Sequence, residues 1–261
     1  MEIYRKDKLI IKKFPTRKLM GETAAAEASA VIGEFLKTKK QLRMIFAAAP
    51  SQNEFLEALS SDKTVDFSRI IAFHMDEYVG LPADAPQGFG NFLKTRLFGK
   101  CPFSEVHYLN GLAENIETEC MRYSKLLGQA PVDIVCMGIG ENTHIAFNDP
   151  GVANFNDPVS VKKVPLDSVC RQQQVNDGCF TRIEQVPTHA ITLTVPAIFG
   201  GAKIFCMVPA RTKADAVFYT LNSEISEKYP ASVLRNHSNA IMYIDNDSGA
   251  RLKEVCGLEK I

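Results

Sequence analysis

Short apolar runs alternate with helical patterns along most of the chain, and that alternation constrains the fold more than any single motif. Residues 42–49, 69–73, 132–137, 189–195, 203–208 and 240–244 read as strands, several apolar throughout. Continuous apolar runs of this kind belong to strands buried on both faces. Between them, Ala24, Ala28, Val31, Ile32, Phe35 and Leu36 recur at helical spacing within 18–37, and further helices are predicted near 89–98, 113–127 and 211–222. Ser51 followed by Glu54, ahead of Phe55, Leu56 and Leu59, predicts a capped helix start. Strands separated by helices favour a mostly parallel sheet joined by right-handed crossovers, hence an α/β sandwich. With 261 residues, 46% apolar, and no repeat or low-complexity linker, one domain over 1–261 is expected.

Charge narrows the ligand. Lys and Arg total 30 against 30 Asp and Glu, a formal net charge of zero, without a basic run. Such a chain has no electrostatic footprint for nucleic acid or an anionic membrane, so the expected partner is a small molecule. The seven cysteines, Cys101, Cys120, Cys136, Cys170, Cys179, Cys206 and Cys256, form no C-x-x-C pair, and their odd number argues against a disulfide framework. Cys136 and Cys206 lie in strand-like runs and are assigned to packing. Residues Met1 to Lys8 lack the apolar core of a signal peptide, and no stretch approaches the roughly 18 apolar residues of a membrane span. A cytoplasmic location is expected.

Chemistry-bearing residues gather just after the predicted strands. Met75-Asp76-Glu77-Tyr78-Val79-Gly80 follows the run at 69–73, and ligands of α/β folds collect beyond the carboxyl ends of strands. Asp76 and Glu77 are both base candidates. Neighbours in an extended segment point to opposite sides, so at most one of them faces a pocket, and spacing does not choose between them. The strand 132–137 runs into the glycine turn Gly138-Ile139-Gly140 and then Glu141-Asn142-Thr143-His144, with Asn148-Asp149-Pro150 shortly after. His144 is an acid/base candidate with a carboxylate five residues on. The other histidines show no ligand spacing around it, so no metal is expected. Lys213 lies in the first turn of the helix after 203–208, where it can share an anion with that helix's free N–H groups. Pro50-Ser51-Gln52 opens another helix, and the two starts together suggest an anion pocket. The loop 148–158, rich in Asn, Pro and Gly, is the expected mobile lid.

These segments resemble, in matching order over most of the chain, the glucosamine-6-phosphate deaminase/isomerase family. Met-Asp-Glu-Tyr-Val-Gly and His-Ile-Ala-Phe-Asn followed by an acid and a proline carry the likeness most specifically. The resemblance implies a Rossmann-like three-layer sandwich with a mostly parallel central sheet. It implies a hexosamine 6-phosphate as substrate, either glucosamine 6-phosphate or galactosamine 6-phosphate, aldose–ketose isomerisation with loss of ammonia, and no cofactor. It makes Asp76, rather than Glu77, the base that moves a proton between C2 and C1, and gives His144 the opening of the sugar ring. Asn142 and Asp149 are then partners of His144, and Ser51, Gln52, Gly138 and Lys213 bind substrate and its phosphate.

The chain departs from the family pattern at several of these positions. Asn142-Thr143-His144 stands where members carry Asp-Gly-His, and Asn148-Asp149-Pro150 where they carry Asn-Glu-Pro. Asn142 is neutral, but it can fix the imidazole by a hydrogen bond. Ala48-Ala49-Pro50-Ser51-Gln52 replaces Thr-Gly-Gly-Thr-Pro, and Pro50 removes a backbone donor. The family's phosphate arginine has no counterpart in Val175-Asn176-Asp177-Gly178, which makes Arg171 the expected substitute. Val161 stands where hexameric members carry the arginine of an allosteric Arg-x-Lys pair, so that response is not expected. Apolar helix faces leave homo-oligomerisation open. A 6-phosphogluconolactonase-like hydrolase of similar fold and a non-catalytic sugar-phosphate sensor are the competing readings. The Met75–Gly80 segment and Asn148 argue against the hydrolase, while Asn142 and the glycine-poor loop motivate the sensor.

Overall fold

The structure is a computed structural model that describes residues 1–166, 168–176 and 178–261, and all their side chains except those of residues 169, 170 and 173. In chain order the elements are β1 (Glu2–Lys6), β2 (Leu9–Phe14), α1 (Arg17–Leu36), β3 (Leu42–Phe46), α2 (Asn53–Ser61), β4 (Ile70–His74), β5 (Asp76–Tyr78) and α3 (Phe89–Leu93). There follow β6 (Glu105–His107), α4 (Ile116–Leu127), β7 (Ile134–Met137), β8 (Val161–Pro165), α5 (Ser168–Asn176), β9 (His189–Leu193), α6 (Val195–Phe199), β10 (Lys203–Val208), α7 (Ala214–Asn222), β11 (Ala240–Asp245) and β12 (Glu259–Lys260).

The main sheet has nine strands in the order β12-β1-β2-β11-β10-β7-β3-β4-β6. From β2 to β6 every pairing is parallel, and only the β12-β1-β2 edge is antiparallel. Alternation along the strands divides the core into two layers. Ile134 and Cys136 of β7, with Phe205 and Met207 of β10, join Met20, Ala24, Phe55 and Leu59 from α1 and α2 on one face. Val135, Met137, Ile204 and Cys206 join Tyr123 of α4, Ile198 of α6 and Val217 of α7 on the other. This is the expected three-layer sandwich.

A second sheet, β5-β9-β8, is antiparallel and lies over a small cluster of Tyr78, Phe147, Val164 and Ala190. The sequence reading placed residues 189–195 in the same parallel alternation and Asp76 in a loop; both belong to this second sheet. The N-terminal hairpin β1-β2 was not anticipated either. Its residues mix charge with apolar side chains, as edge strands do.

Two local expectations are corrected. Ser51 does not cap α2: residues 50–52 form a 3-10 turn, and neither that turn nor α2 has a side-chain cap. Pro50 forces this start by fixing its φ and lacking a donor, and Glu54 is drawn to Arg17 instead. The loop 148–158, expected as a mobile lid, is tied into its surroundings at both ends and lies outside the cavity lining. Asn148 and Asp149 are buried, Phe155 N donates to Glu227, and Lys162 binds Val152 O and Asp157.

Candidate active site

Four adjacent parallel strands, β10, β7, β3 and β4, deliver their carboxyl ends to one cavity of about 230 Å³. The chain runs outward in one direction from β3 to β6 and in the other from β7 to β11, so the crevice between β3 and β7 is the topological switch point where such sheets bind ligands. The cavity is lined by Ala47 to Gln52 after β3, Met75 and Asp76 after β4, Gly138 to Gly140 and His144 after β7, and Pro209, Ala210, Thr212 and Lys213 after β10. Of the sequence candidates, Ser51, Gln52, Asp76, Gly138, His144 and Lys213 therefore meet at one place.

The paired acids separate as the extended backbone requires. The Asp76 carboxylate faces the cavity and makes no hydrogen bond or ion pair to the described residues, while the residue is only 8% exposed. Burial, with the adjacent Glu77 charge adding to it, raises the carboxyl well above the ordinary aspartate range. Glu77 points the other way and accepts from the backbone N–H of Tyr78 (2.9 Å), Phe89 (3.2 Å) and Gly90 (2.8 Å). It holds the start of α3, where orphan donors gather. Behind them, His74 is fully buried and its pKa is pushed down to about 4 by that burial. Its Nε2 accepts from Leu109 N, and the Tyr123 hydroxyl accepts from His74 N. The end of β4 is thereby fixed from both sides.

His144 stands in a tightly wound loop. Thr143 and Ala146 have φ of 72° and 51°, left-handed values that non-glycine residues hold at a cost. The imidazole lies against the backbone of Gly140, where an added Cβ would come within 2.1 Å of the ring. Asn148 ties the loop to β9 through Leu193 O at 2.8 Å. His144 Nδ1 is 3.0 Å from Asp149 Oδ1, which fixes a proton on Nδ1 and leaves Nε2 as the ring's other proton site. Asn142 does not touch the ring as expected: its Nδ2 donates to Asp149 Oδ1 at 2.8 Å, and its Oδ1 accepts from His144 N at 3.1 Å. The neutral amide thus orients the carboxylate that orients the histidine.

The anion side is assembled from two helix starts. Gln52 is 1% exposed, and its Nε2 donates to Ser51 Oγ (3.0 Å) and approaches Met207 O (3.4 Å). Ser51 Oγ accepts there, so its own proton is directed elsewhere. Gly138 permits this arrangement, because a Cβ would sit 3.0 Å from Gln52 Nε2 and 3.2 Å from Ser51 Oγ. Across the crevice Lys213 ends the 3-10 turn that leads into α7. The turn is set by Ala210, whose φ of 84° and ψ of 151° suit glycine better, and whose N–H is held by buried Asp245 at 3.1 Å.

Arg171 is not at the cavity. Its guanidinium donates to Ile183 O at 2.6 Å and Val186 O at 2.9 Å, so it braces the turn after α5 away from the cavity lining. Of the stretch 175–178 beside it, residue 177 lies outside the described residues. Arg17, Phe89, Gln174, Cys179 and Thr212 also line the cavity, and the sequence reading named none of them for the site. Thr212 was within reach, one residue from Lys213; Arg17 and Gln174 come from distant helices with no motif of their own. Burial raises the thiol pKa of Cys136 and Cys206, in keeping with packing roles. Among the described residues, no three His, Cys, Asp or Glu side chains gather as a metal site, and no helix is long and apolar enough to cross a membrane.

A buried carboxylate and an oriented histidine beside a cationic rim, at the switch point of a parallel sheet, describe an α/β acid–base site. Residues 15–243 match the model for glucosamine-6-phosphate isomerases/6-phosphogluconolactonase, and the chain belongs to that family of enzymes. A glucosamine-6-phosphate deaminase of Bacillus cereus is 34% identical over 227 residues, 87% of this chain and 84% of the relative. One from Bacillus anthracis matches to the same extent. Among solved structures, a monomeric glucosamine-6-phosphate deaminase superposes with a TM-score of 0.84 at 28% identity, covering 92% of this chain and 98% of that one. A 6-phosphogluconolactonase from Thermotoga maritima, at 17% identity and a TM-score of 0.74 over 91% and 99% of the two chains, shares the fold.

Proposed function

We infer that the chain converts a hexosamine 6-phosphate to the ketohexose 6-phosphate and ammonia, acting through residues 1–261 as one cytoplasmic catalytic domain. Glucosamine 6-phosphate is the leading substrate, with galactosamine 6-phosphate its closest competitor. The observation that carries this reading is the buried Asp76 carboxylate, without a partner among the described residues, sharing a cavity with the His144–Asp149 pair.

His144, held by Asp149, moves the proton to or from the ring oxygen as the sugar opens. The new C1 aldehyde acidifies the C2 proton, which Asp76 takes and returns to C1. Burial makes Asp76 a stronger base than a solvated carboxylate, bringing its proton affinity closer to the task. The resulting imine at C2 adds water and releases ammonia. Lys213, Ser51 and Gln52 hold the phosphate, and Gly138 leaves room for it. None of these steps calls for an organic cofactor or a metal.

The test is product analysis across glucosamine 6-phosphate, galactosamine 6-phosphate, the corresponding plain sugar phosphates and 6-phosphogluconolactone. Ammonia with ketohexose phosphate is expected from an amino sugar. No ammonia from either amino sugar, alongside turnover of a plain sugar phosphate or rapid opening of the lactone, sinks the proposal.

A further inference from the structure

The anion side contains a cation that no motif announced. Arg17 opens α1 just after its capping residue Thr16, whose Oγ1 accepts from Leu19 N at 3.2 Å. About one turn on, Gly21 lets α1 press against α2: a Cβ there would lie 2.6 Å from Glu54 Cβ and 2.9 Å from Phe55 N. This close approach lays the Arg17 side chain across the turn that begins α2. Its Nε donates to Glu54 Oε1 at 2.6 Å, and its Nη2 donates to Glu54 Oε2 and to Pro50 O, both at 2.9 Å. Nη1 makes no hydrogen bond to the described residues, and Arg17 lines the cavity together with Ser51, Gln52, Thr212 and Lys213.

We propose that Arg17 is a ligand of the substrate's phosphate, presenting Nη1 where Pro50 supplies no backbone N–H. The assignment rests on the reading of a phosphorylated substrate given above. A guanidinium already clamped on two edges loses little further freedom on binding, so a fixed fork is worth more than a free surface arginine. Glu54 offsets part of the Arg17 charge, and Lys213 lines the same cavity as a second cationic side chain.

Inorganic phosphate is titrated into the intact enzyme, with binding read by calorimetry and thermal shift. Arg17→Gln weakens phosphate on the order of 10- to 100-fold, the scale of one charged hydrogen bond. The same variant raises KM for the sugar phosphate by a similar factor, with the effect falling on KM rather than kcat. Unchanged phosphate affinity overturns the proposal. The double variant Arg17→Gln/Glu54→Gln separates contact from neutralisation. It stays weak if Arg17 touches the anion, and recovery of affinity shows that Arg17 only masks Glu54, which also overturns the proposal. Should Arg17→Gln fail to fold, Arg17→Lys keeps the charge and loses the fork. Intermediate weakening is then expected, and wild-type affinity counts against the assignment. Loss of phosphate binding in a protein that releases no ammonia sinks the deaminase reading alone. Ammonia release with a KM indifferent to Arg17 sinks this one alone.

Discussion

The proton-transfer side and the anion side of the cavity are built by opposite means. On the first, the Asp76 carboxylate is buried and has no hydrogen-bond or ion-pair partner among the described residues, while Thr143 and Ala146 hold costly backbone angles to present His144. On the second, Arg17 is clamped by Glu54, Gln52 is lodged beneath Gly138, and Asp245 pins Ala210 ahead of Lys213. The first side stores instability where chemistry is proposed; the second spends contacts on placing charge. Substitutions on the first side are therefore expected to affect kcat and those on the second KM, and only the first side should become more stable when disarmed.

Asp76→Asn gives the largest expected effect. It removes the proposed base, so kcat falls by about 10²- to 10⁴-fold, while phosphate binding is retained. Stability should move the other way. Because the folded-state pKa lies above the ordinary value of 3.8, the folded protein favours the protonated acid. That contribution is present below the ordinary value and is lost as pH rises through the folded pKa. At neutral pH the asparagine variant melts higher than wild type, and the gap closes toward pH 3.8. A variant that melts lower at neutral pH would contradict the picture of a base held at the fold's expense.

Asp149→Asn comes next. The amide cannot stabilise an imidazolium as a carboxylate does, and kcat should drop about 10- to 100-fold, the scale seen where a group that orients a metal-bound histidine is lost. The loss should be smaller with a substrate supplied already ring-opened. An equal loss on both forms would remove His144 from ring opening. Lys213→Gln belongs to the anion side: KM for the sugar phosphate should rise about tenfold or more, with kcat close to wild type. A fall in kcat at unchanged KM would erase the division between the two sides.

The parallel sheet was legible because its strands are buried on both faces, so the apolar runs at 132–137 and 203–208 stand out without help from neighbours. Asp76, His144 and Lys213 were legible because each follows such a run directly. The second sheet was not, since β5 has only three residues and pairs with β9 more than 100 positions away. No local pattern records that pairing. Arg171 misled because a cation beside a gap in a motif looks available, and only the fold shows it donating to the carbonyls of Ile183 and Val186. Arg17 failed to register for the converse reason. Its position depends on Gly21 admitting α2, a contact between helices that sequence spacing cannot express.

Glu77→Gln gives the smallest effect and the finest test, because it acts one residue from the base. The carboxylate accepts three backbone N–H groups at and before the start of α3. A glutamine retains one oxygen acceptor but turns an amide NH2 toward one of these N–H donors, which should cost about 1 kcal/mol of stability by chemical denaturation. Its charge is also the second cause, after burial, of the raised Asp76 pKa. Removing it should make Asp76 easier to ionise, so the acid limb of the kcat/KM profile moves to lower pH while turnover at neutral pH persists. Loss of turnover in a folded Glu77→Gln protein would reverse the roles of the two acids. An unmoved acid limb would mean that burial alone sets the base, or that the limb belongs to another group. Measuring the limb again in Asp149→Asn separates those outcomes, because a limb set by Asp76 should move far less there than one set by His144.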